Sequence, residues 1–278
     1  GSSLGRTIRR SGLTPARFYR DALLGAARIE HVRALRKDEQ RSLHVGIASN
    51  AFAGSDNPIE AELTSDAQTI ASTLEERGYR TTFLDFNKPF EAAKEVQDRN
   101  IDAVFNLCER INHSSLLEPH AAALFDILRI PYTGSNPFTL GLCLDKIRVK
   151  KLLAFHSIPT PRWDYLYERD EQFDEDFPLP AIVKPANSDS SIGITNDSVV
   201  TTREGLLQRI DYVLNDLQRP VLVEAFIDGD EYDVSIMGNW ADDQRVLPLS
   251  RSCVKNRPDG YWHRYPYEAK FEGSEGHK

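Results

Sequence analysis

The chain has 278 residues, of which 40% are hydrophobic and 27% charged, values typical of a globular protein with a core of its own. Its net charge of −8 gives the whole molecule no attraction to nucleic acid or to an anionic membrane, and no apolar run approaches the roughly 20 residues of a membrane span. The three cysteines, Cys108, Cys143 and Cys253, are odd in number and far apart. We therefore expect reduced thiols of a cytoplasmic protein, and neither a disulfide framework nor a zinc site.

Residues 1–42 form a basic segment. Within it, residues 1–41 hold ten Lys/Arg against four Asp/Glu, a local charge of +6. Thr14 and Pro15 are typical of a helix N-cap followed by proline in the first turn. We expect an amphipathic helical extension that docks on the acidic body of the protein or on a second subunit. A basic arm for a nucleic acid or a membrane surface is the alternative.

The next region alternates strand and helix patterns. Asn57-Pro58 starts a helix, Gly78 ends it, and Ile130-Pro131 closes a later one. In chain order we predict the strand Leu43–Ala48, a helix to Gly78, the strand Thr81–Phe86, the helix Phe90–Arg99, the strand Ile101–Asn106 and the helix Leu117–Leu128. Alternation of this kind predicts βαβ units and a lobe built on a parallel sheet.

The following region has a different pattern. A helix is predicted from about Leu140 to His156, followed by a stiff connector, Ile158–Pro161, because each proline fixes its own φ. Next come the strand Ala181–Pro185, the polar loop Ala186–Gly193, the strand Ile194–Val200, the helix Arg203–Leu217 and the strands Pro220–Phe226, Tyr232–Met237 and Arg245–Ser252. Several strands with one intervening helix predict an antiparallel α+β lobe.

The chemistry of this second lobe begins at Lys184, a lysine inside the apolar strand AIVKP. Burying an ammonium group there is unfavourable unless it meets an anion. The loop that follows is rich in serine and ends at Gly193, so its backbone N–H groups could fold over a phosphate. Lys146 is a second cation that could reach the same phosphates. The alternative is a polar hairpin whose lysine extends to solvent.

A second group of residues suits the rest of a nucleotide. The end of an apolar strand, Glu224–Ile227, could offer backbone groups to an adenine edge, with Phe226 and Ile227 against the ring and the Glu224 carboxylate accepting from the exocyclic amine. Glu231 could accept from ribose hydroxyls. Lys270, in the run YEAKF, adds a third lysine near the end of the sequence.

Several passages together resemble the ATP-grasp superfamily and, within it, the D-alanine–D-alanine ligase family. In the family's order they are VFNLCE (104–109), IPYTGSNPFTLGLCLDKIRVKKLL (130–153), IPTPRW (158–163), LPAIVKPANSDSSIGI (179–194), VLVEAFIDGDEYDVSIMG (221–238) and YEAKF (267–271). Each passage alone is a weak signal, and the ordered set is specific.

The resemblance implies an ATP site. Its binding residues would be Lys146, Lys184, Ser190, Ser191, Gly193, Glu224, Ala225, Phe226, Ile227 and Glu231, with Lys270 as the catalytic residue. The first two lysines would contact the α- and β-phosphates, and the serine loop would close over the polyphosphate. Glu224, Phe226 and Ile227 would frame adenine, Glu231 would hold the ribose, and Lys270 would approach the γ-phosphate.

The resemblance also implies a reaction and an architecture. A substrate carboxylate would attack the γ-phosphate of ATP to give an acyl phosphate, and an amine would then displace phosphate to form an amide. Mg²⁺ is expected because an anionic nucleophile must approach an anionic phosphoryl group. The fold would combine α/β and α+β parts: a pre-ATP-grasp domain over 43–144, a central ATP-grasp subdomain over 145–223 and an incomplete C-terminal subdomain over 224–278.

Two loops depart from the family pattern. Residues 49–56 and 108–118 lack the glycine-rich acidic motif and the His-Gly…Gly-Glu-Asp-Gly motif that line the family's amino-acid sites. We therefore expect small amino-acid or peptide-like substrates and do not assign D-alanine. Glu109 and Glu118 either bind an ammonium group or flank the following helix, and His113 is expected to be a surface loop residue.

The metal ligands are a second departure. The family's magnesium ligands, an Asp and then a Glu-x-Asn pair, lie well beyond the YEAKF motif, so we expect them downstream of Lys278 and assign no metal ligand here. The chain as given would then be incomplete for catalysis, either a truncated enzyme or a nucleotide-binding remnant. The end GSEGHK (273–278) is typical of a mobile loop and favours truncation.

Three functions remain open from the sequence. The first is an ATP-dependent carboxylate–amine ligase, with a homodimer formed through the first lobe, and with neither nucleic acid nor membrane as a partner. The second is a nucleotide-binding relative without catalysis that acts as a sensor or scaffold. The third is an α/β protein that binds no nucleotide and whose lysines are structural.

Overall fold

A computed structural model describes residues 43–50, 58–112, 114–169, 171–174, 176–188, 193–239, 244–252 and 262. The predicted basic extension over 1–42 therefore lies outside the described residues, as do His113, Ser190, Ser191, Cys253 and Lys270. Among the helices that are described, none combines the length and apolar character needed to cross a membrane.

The chain divides into two compact units. The division falls between Phe138 and Thr139, between Glu231 and Tyr232, and again between Arg251 and Ser252. The stretch from Tyr232 to Arg251 thus belongs with the N-terminal unit. Each unit is built on its own sheet.

The first unit contains a parallel sheet in the order β2-β1-β3. Its elements are β1 (His44–Ser49), α1 (Pro58–Glu75), β2 (Arg80–Asp85), α2 (Pro89–Asp98), β3 (Ala103–Asn106) and α3 (Glu118–Leu128), with a 3₁₀ turn at Ser115–Leu117 before α3. β1 is central and buried along its whole length, as expected for a parallel strand covered on both faces. The predicted α/β lobe is confirmed.

Two apolar clusters cover the two faces of this sheet. On one face Val45 and Ile47 pack with Leu74 of α1. On the other, Leu84 and Val104 pack with α2 and with Phe125 of α3. Burial on both sides fixes the strand register, because a slip of one residue would exchange the faces.

The second unit begins with a correction to the prediction. The single helix expected from Leu140 to His156 is wrong, because two helices occupy the region: α4 (Pro137–Cys143) and α5 (Lys146–Phe155). Asp145 is extended between them, and its side chain caps α5 by accepting a hydrogen bond from the backbone N–H of Arg148 at 3.0 Å. An N-cap residue has non-helical backbone angles, so the helix is interrupted there.

The second unit holds an antiparallel sheet in the order β4-β7-β5-β6. Its elements are β4 (Trp163–Leu166), β5 (Ala181–Pro185), a 3₁₀ turn (Asn196–Ser198), β6 (Val199–Val200), α6 (Arg203–Asp211) continued by a π-helical turn (Tyr212–Asp216), and β7 (Val221–Ala225). One face of the sheet, with Val183 and Val223, packs against Leu206 and Ile210 of α6. The antiparallel α+β lobe is confirmed.

Strand lengths differ from prediction in three places. The strand predicted over Ile194–Val200 is reduced to β6, because the 3₁₀ turn occupies Asn196–Ser198. The run Tyr232–Met237 is divided into β8 (Glu231–Asp233) and β9 (Ile236–Met237). The run Arg245–Ser252 is likewise divided into β10 (Arg245–Val246), which pairs antiparallel with β9, and β11 (Ser250–Ser252).

Candidate functional site

The candidate site lies on the face of the second unit's sheet that α6 does not cover. On β5, Ala181 and Val183 point into the core, so Lys184 points to the opposite face. β5 and β7 pair with Lys184 opposite Leu222 and Ile182 opposite Glu224. Residues paired across antiparallel strands share a face, so Lys184 and Glu224 are diagonal neighbours on it.

Glu224 forms ion pairs with two lysines from different elements. One carboxylate oxygen meets Nζ of Lys184 on β5, and the other meets Nζ of Lys150 on α5. The side chains of Glu224 and Lys150 are 8% and 9% exposed, and that of Lys184 is 20% exposed. Lys150 Nζ also donates to Oγ1 of Thr160, in the proline-rich connector. We call Glu224, Lys150, Lys184 and Thr160 the Glu224 cluster.

The Glu224 cluster carries excess positive charge. Burial alone would raise the pKa of the Glu224 carboxyl, but the charges and hydrogen bonds of Lys184 and Lys150 outweigh burial and hold that pKa below its usual value. One carboxylate thus faces two ammonium groups, a net charge of +1. Positive charge at a largely desolvated position favours an anionic ligand.

Lys146 adds a second cation on the same helix. It lies four residues before Lys150, so the two share a face of α5. Its backbone N–H donates to the carbonyl of Ala186 at 2.9 Å, and its Nζ donates to the carbonyl of Ser188. This lysine is therefore tied to the start of the loop that follows β5.

The far end of that loop is fixed at Gly193. Its φ is +75°, and a Cβ there would lie 2.9 Å from Cγ of Pro185 and 3.0 Å from Cδ1 of Leu217. Its carbonyl accepts from Nη2 of Arg209 at 2.7 Å, and the same nitrogen donates to Oγ of Ser198 at 2.9 Å. Only glycine fits this backbone conformation and spacing without strain.

The predicted adenine stretch runs off the end of β7. The N–H of Ala225 donates to the carbonyl of Arg162 at 2.8 Å, and that of Phe226 donates to the carbonyl of Pro180 at 2.9 Å. Both amides are thus used inside the protein, while Ile227 is 67% exposed. Glu231 is exposed at the first position of β8.

Trp262 extends this surface. Its ring meets that of Phe226 edge-on with centroids 5.1 Å apart, and its backbone N–H donates to Oδ1 of Asn196 at 3.4 Å. A tryptophan beside the predicted adenine stretch enlarges the aromatic surface available to a base.

Of the residues predicted from the sequence, the structure joins Lys184 directly to Glu224 and brings Lys146 to the start of the serine loop. Sequence reasoning missed Lys150, Thr160, Arg209 and Trp262. The i,i+4 spacing of Lys146 and Lys150 was a usable signal for the first of these. For Trp262 the sequence around it gave none.

At the carboxyl edge of the first unit's parallel sheet the buried polar side chains, Ser49 and Asn50, are neutral. Asn50 Nδ2 donates to Oδ1 of Asn87 at 3.0 Å and to the carbonyl of Arg110 at 2.9 Å, so the segments after β1, β2 and β3 are joined. Cys108 is a free thiol whose burial raises its pKa to about 12. Glu118 lies in the first turn of α3.

The chain resembles known proteins in sequence as well as in fold. A family model described as "D-ala D-ala ligase C-terminus" matches residues 152–278. The D-alanine–D-alanine ligase of Actinobacillus pleuropneumoniae serotype 5b is 31% identical over 227 residues, which are 79% of this chain and 67% of that protein. The chain belongs to the D-alanine–D-alanine ligase family.

Two further comparisons concern a second sequence relative and a solved structure. The D-alanine–D-alanine ligase of Desulforudis audaxviator is 32% identical over 209 residues, 73% of this chain, and the chain spans only 63% of that relative's length. A D-alanine–D-alanine ligase from Bacillus anthracis, solved in complex with ATP, has a TM-score of 0.54 at 19% identity and covers 74% of this chain and 70% of its own. The fold is that of the ATP-grasp ligases.

Metal ligands do not gather in the part of the chain that the structure describes. No group of three or more His, Cys, Asp or Glu residues there could hold a metal ion. The charged groups that the described part of the site holds are the ammonium groups of Lys146, Lys150 and Lys184 and the carboxylate of Glu224.

Proposed function

We propose that the chain is the nucleotide-binding part of an ATP-dependent carboxylate–amine ligase. The observation that carries this proposal is the net positive charge of the Glu224 cluster, buried on one face of an antiparallel sheet. A structural ion pair needs one lysine for each carboxylate, and the second ammonium group suits a polyphosphate. Family membership supplies the ligase chemistry to which such a site belongs.

The proposed ATP contacts combine the positions of Lys146, Lys184 and the end of β7 with the residue roles that the family resemblance implies. Lys146 and Lys184 bind the α- and β-phosphates, and the loop that ends at Gly193, with Ser190 and Ser191, covers them. Adenine lies on the stretch from Glu224 to Ile227. The N–H groups of Ala225 and Phe226 are already hydrogen-bonded within the protein, so the Ile227 N–H and the strand carbonyls form the hydrogen bonds to the adenine edge. Glu231 holds the ribose and Lys270 acts at the γ-phosphate.

The proposed reaction forms an amide in two displacements. A substrate carboxylate oxygen bonds to the γ-phosphorus as ADP leaves, and an amine nitrogen then bonds to the acyl carbon as phosphate leaves and the nitrogen loses a proton. Lysine ammonium groups stabilise negative charge that spreads during the first displacement. Mg²⁺ is part of this proposal on the same electrostatic grounds.

Binding is tested by isothermal titration calorimetry of the 278-residue chain with ATP and MgCl₂. We expect Lys184→Met and Lys146→Met each to weaken ATP binding by about tenfold or more, as a lost charge-assisted hydrogen bond does. Lys151→Met is the matched control, since Lys151 lies on the same helix with its ammonium 4.4 Å from the Tyr165 ring centroid. If Lys184→Met bound ATP as tightly as the wild type, the nucleotide site proposed here would be wrong.

Turnover is tested by phosphate release from ATP with pairs of amino acids, D-alanine and L-amino acids included. Release that requires both an acceptor carboxylate and an amine supports the ligase. Tight ATP binding without phosphate release for any pair of amino acids favours the sensor or scaffold function instead. We also propose small amino-acid or peptide-like substrates, a cytoplasmic location and a homodimer, the last checked by sedimentation analysis.

A further inference from the structure

Glu224 has two cations, and they are held in different ways. Lys150 is anchored at both ends: its backbone is in α5, and its ammonium bonds both Glu224 and Thr160. Thr160 is itself restrained, because it lies between Pro159 and Pro161. Lys184 is the more exposed of the two lysine side chains, at 20% against 9%. It is therefore the lysine with access to a ligand.

A conflict follows if Lys184 binds a phosphate. Its ammonium would move away from Glu224, and a buried carboxylate without a cation must either be stabilised by another partner or take up a proton. Lys150 can be that partner, because it is already paired with Glu224. Its ion pair with Glu224 uses the other carboxylate oxygen, so it does not depend on Lys184 remaining.

We propose that Lys150 is a positioning residue of the nucleotide site, which keeps Glu224 ionised and in place while Lys184 transfers its ammonium group from Glu224 to a phosphate oxygen. This inference rests on the proposed function. In it, the free protein keeps Lys184 on an internal carboxylate and the nucleotide releases it. Lys150 makes that exchange possible without a protonation step.

The groups around Glu224 make the exchange measurable. The charged groups that face its carboxylate are Lys184 from β5 and Lys150 from α5. Its cross-strand neighbours, Trp163 on β4 and Ile182 on β5, do not ionise. The Arg162 guanidinium, next along the chain before β4, is directed to Asp174 instead. Lys146, one turn before Lys150 on α5, is directed to the carbonyl of Ser188.

Removal of Lys150 should therefore link ATP binding to a proton. In Lys150→Met the free protein still pairs Glu224 with Lys184 and should fold. When ATP takes Lys184, Glu224 is left buried without a cation and must bind a proton, so the variant's affinity for ATP falls as pH rises. In the wild type Lys150 keeps Glu224 ionised, and this linked proton is absent.

The experiment is calorimetric titration with ATP at saturating Mg²⁺ near neutral pH, repeated in two buffers of different ionisation enthalpy. Relative to wild type, we expect Lys150→Met to take up close to one extra proton per ATP and to bind on the order of tenfold more weakly. Lys150→Arg should restore binding without the proton. Lys151→Met, the exposed neighbour, should match wild type.

A double variant separates positioning from a merely structural role. Lys150→Met combined with Glu224→Gln removes the titrating carboxylate, so the linked proton should disappear although Lys150 is still missing. Lys150→Met that binds ATP without extra proton uptake would overturn the inference and leave the proposed function standing. Absence of ATP binding by the wild type would instead overturn both. If Lys150→Met fails to fold, Lys150→Gln measured in the same way gives the same decision.

Discussion

Buried polar groups are arranged differently in the two units. In the second unit a buried carboxylate, Glu224, meets two ammonium groups on one sheet face. In the first unit the carboxyl edge of the parallel sheet buries neutral groups, and Ser49 and Asn50 are 0% and 1% exposed. Ser49 Oγ and Asn50 Oδ1 have no hydrogen-bond partner within the described part of the chain.

Substitutions should therefore change the free energy of unfolding by different amounts in the two units. An ionic group left alone in a protein interior loses both its hydration and its partner, whereas an unsatisfied neutral group has already lost its hydration and loses little more when it is deleted. Substitutions in the Glu224 cluster should therefore reduce stability far more than substitutions at the neutral edge.

The largest effect is expected at Glu224. Glu224→Gln leaves the Lys150 and Lys184 ammonium groups without their carboxylate, and loss of one partner from a buried ion pair typically reduces stability by about 3–5 kcal/mol. Urea unfolding followed by circular dichroism measures the loss. Glu168→Gln, an exposed carboxylate in the same unit, should change stability by less than about 0.5 kcal/mol.

The same residue predicts a pH dependence. The folded-state pKa of Glu224 is lowered from 4.5, so its contribution is fully present above that value and is lost as pH falls through the lower folded pKa. Wild-type stability should therefore decline below about pH 4.5, and Glu224→Gln should lack that part of the decline. If the stability of both proteins declined in parallel as pH falls, the Glu224 carboxylate would not be the group that makes the second unit sensitive to acid.

Two glycines, one in each unit, give the next effect. Gly78 has φ +82°, and no described atom lies within 4 Å of the position that a Cβ would take, so Gly78→Ala should lose about 1 kcal/mol for the left-handed conformation alone. Gly193 adds contacts of 2.9 and 3.0 Å to a similar φ, and Gly193→Ala should lose about 2–3 kcal/mol. Equal losses in urea unfolding would show that the contacts around Gly193 relax freely.

Asn50 tests the neutral edge. Asn50→Ala removes hydrogen bonds to Asn87 and Arg110 and should reduce stability by about 1–3 kcal/mol. Asn215→Ala removes an exposed side-chain bond to Asp211 and should change stability by less than about 0.5 kcal/mol. A loss at Asn50 as large as that at Glu224 would mean that charge is not what distinguishes the units.

The sequence predicted both sheets because their signals are local. Proline, glycine and strand patterns delimit each element of the first unit to within a few residues, and the alternation in AIVKP places Lys184 opposite the core. The helix break at Asp145 was missed because a capping aspartate inside a helical pattern looks like any other charged residue. β4 was missed because WDYL offers only a short, mixed run.

Some members of the candidate site were predictable, namely Lys146, Lys184 and Glu224, but Lys150, Thr160 and the pairing of the charges were not. Lys184 was expected to meet an anion, and the anion that it meets in the structure belongs to Glu224, which comes from another strand of the sheet. Lys150 joins the same carboxylate from a helix. Such pairings depend on strand order and register, which residue patterns within one segment do not specify.

The smallest effect is expected at Ser49. Its buried hydroxyl has no hydrogen-bond partner within the described residues, so Ser49→Ala removes a desolvated polar group and gives up no bond. Because deletion of an unsatisfied group is neutral or favourable, stability should stay the same or rise by up to about 1 kcal/mol. The measurement is urea unfolding of Ser49→Ala and of Ser198→Ala as its matched control. Ser198 is equally buried, in the second unit, and its hydroxyl accepts a hydrogen bond from Arg209 at 2.9 Å. Ser198→Ala should lose about 1–2 kcal/mol, and a similar loss at Ser49 would mean that its hydroxyl is bonded after all.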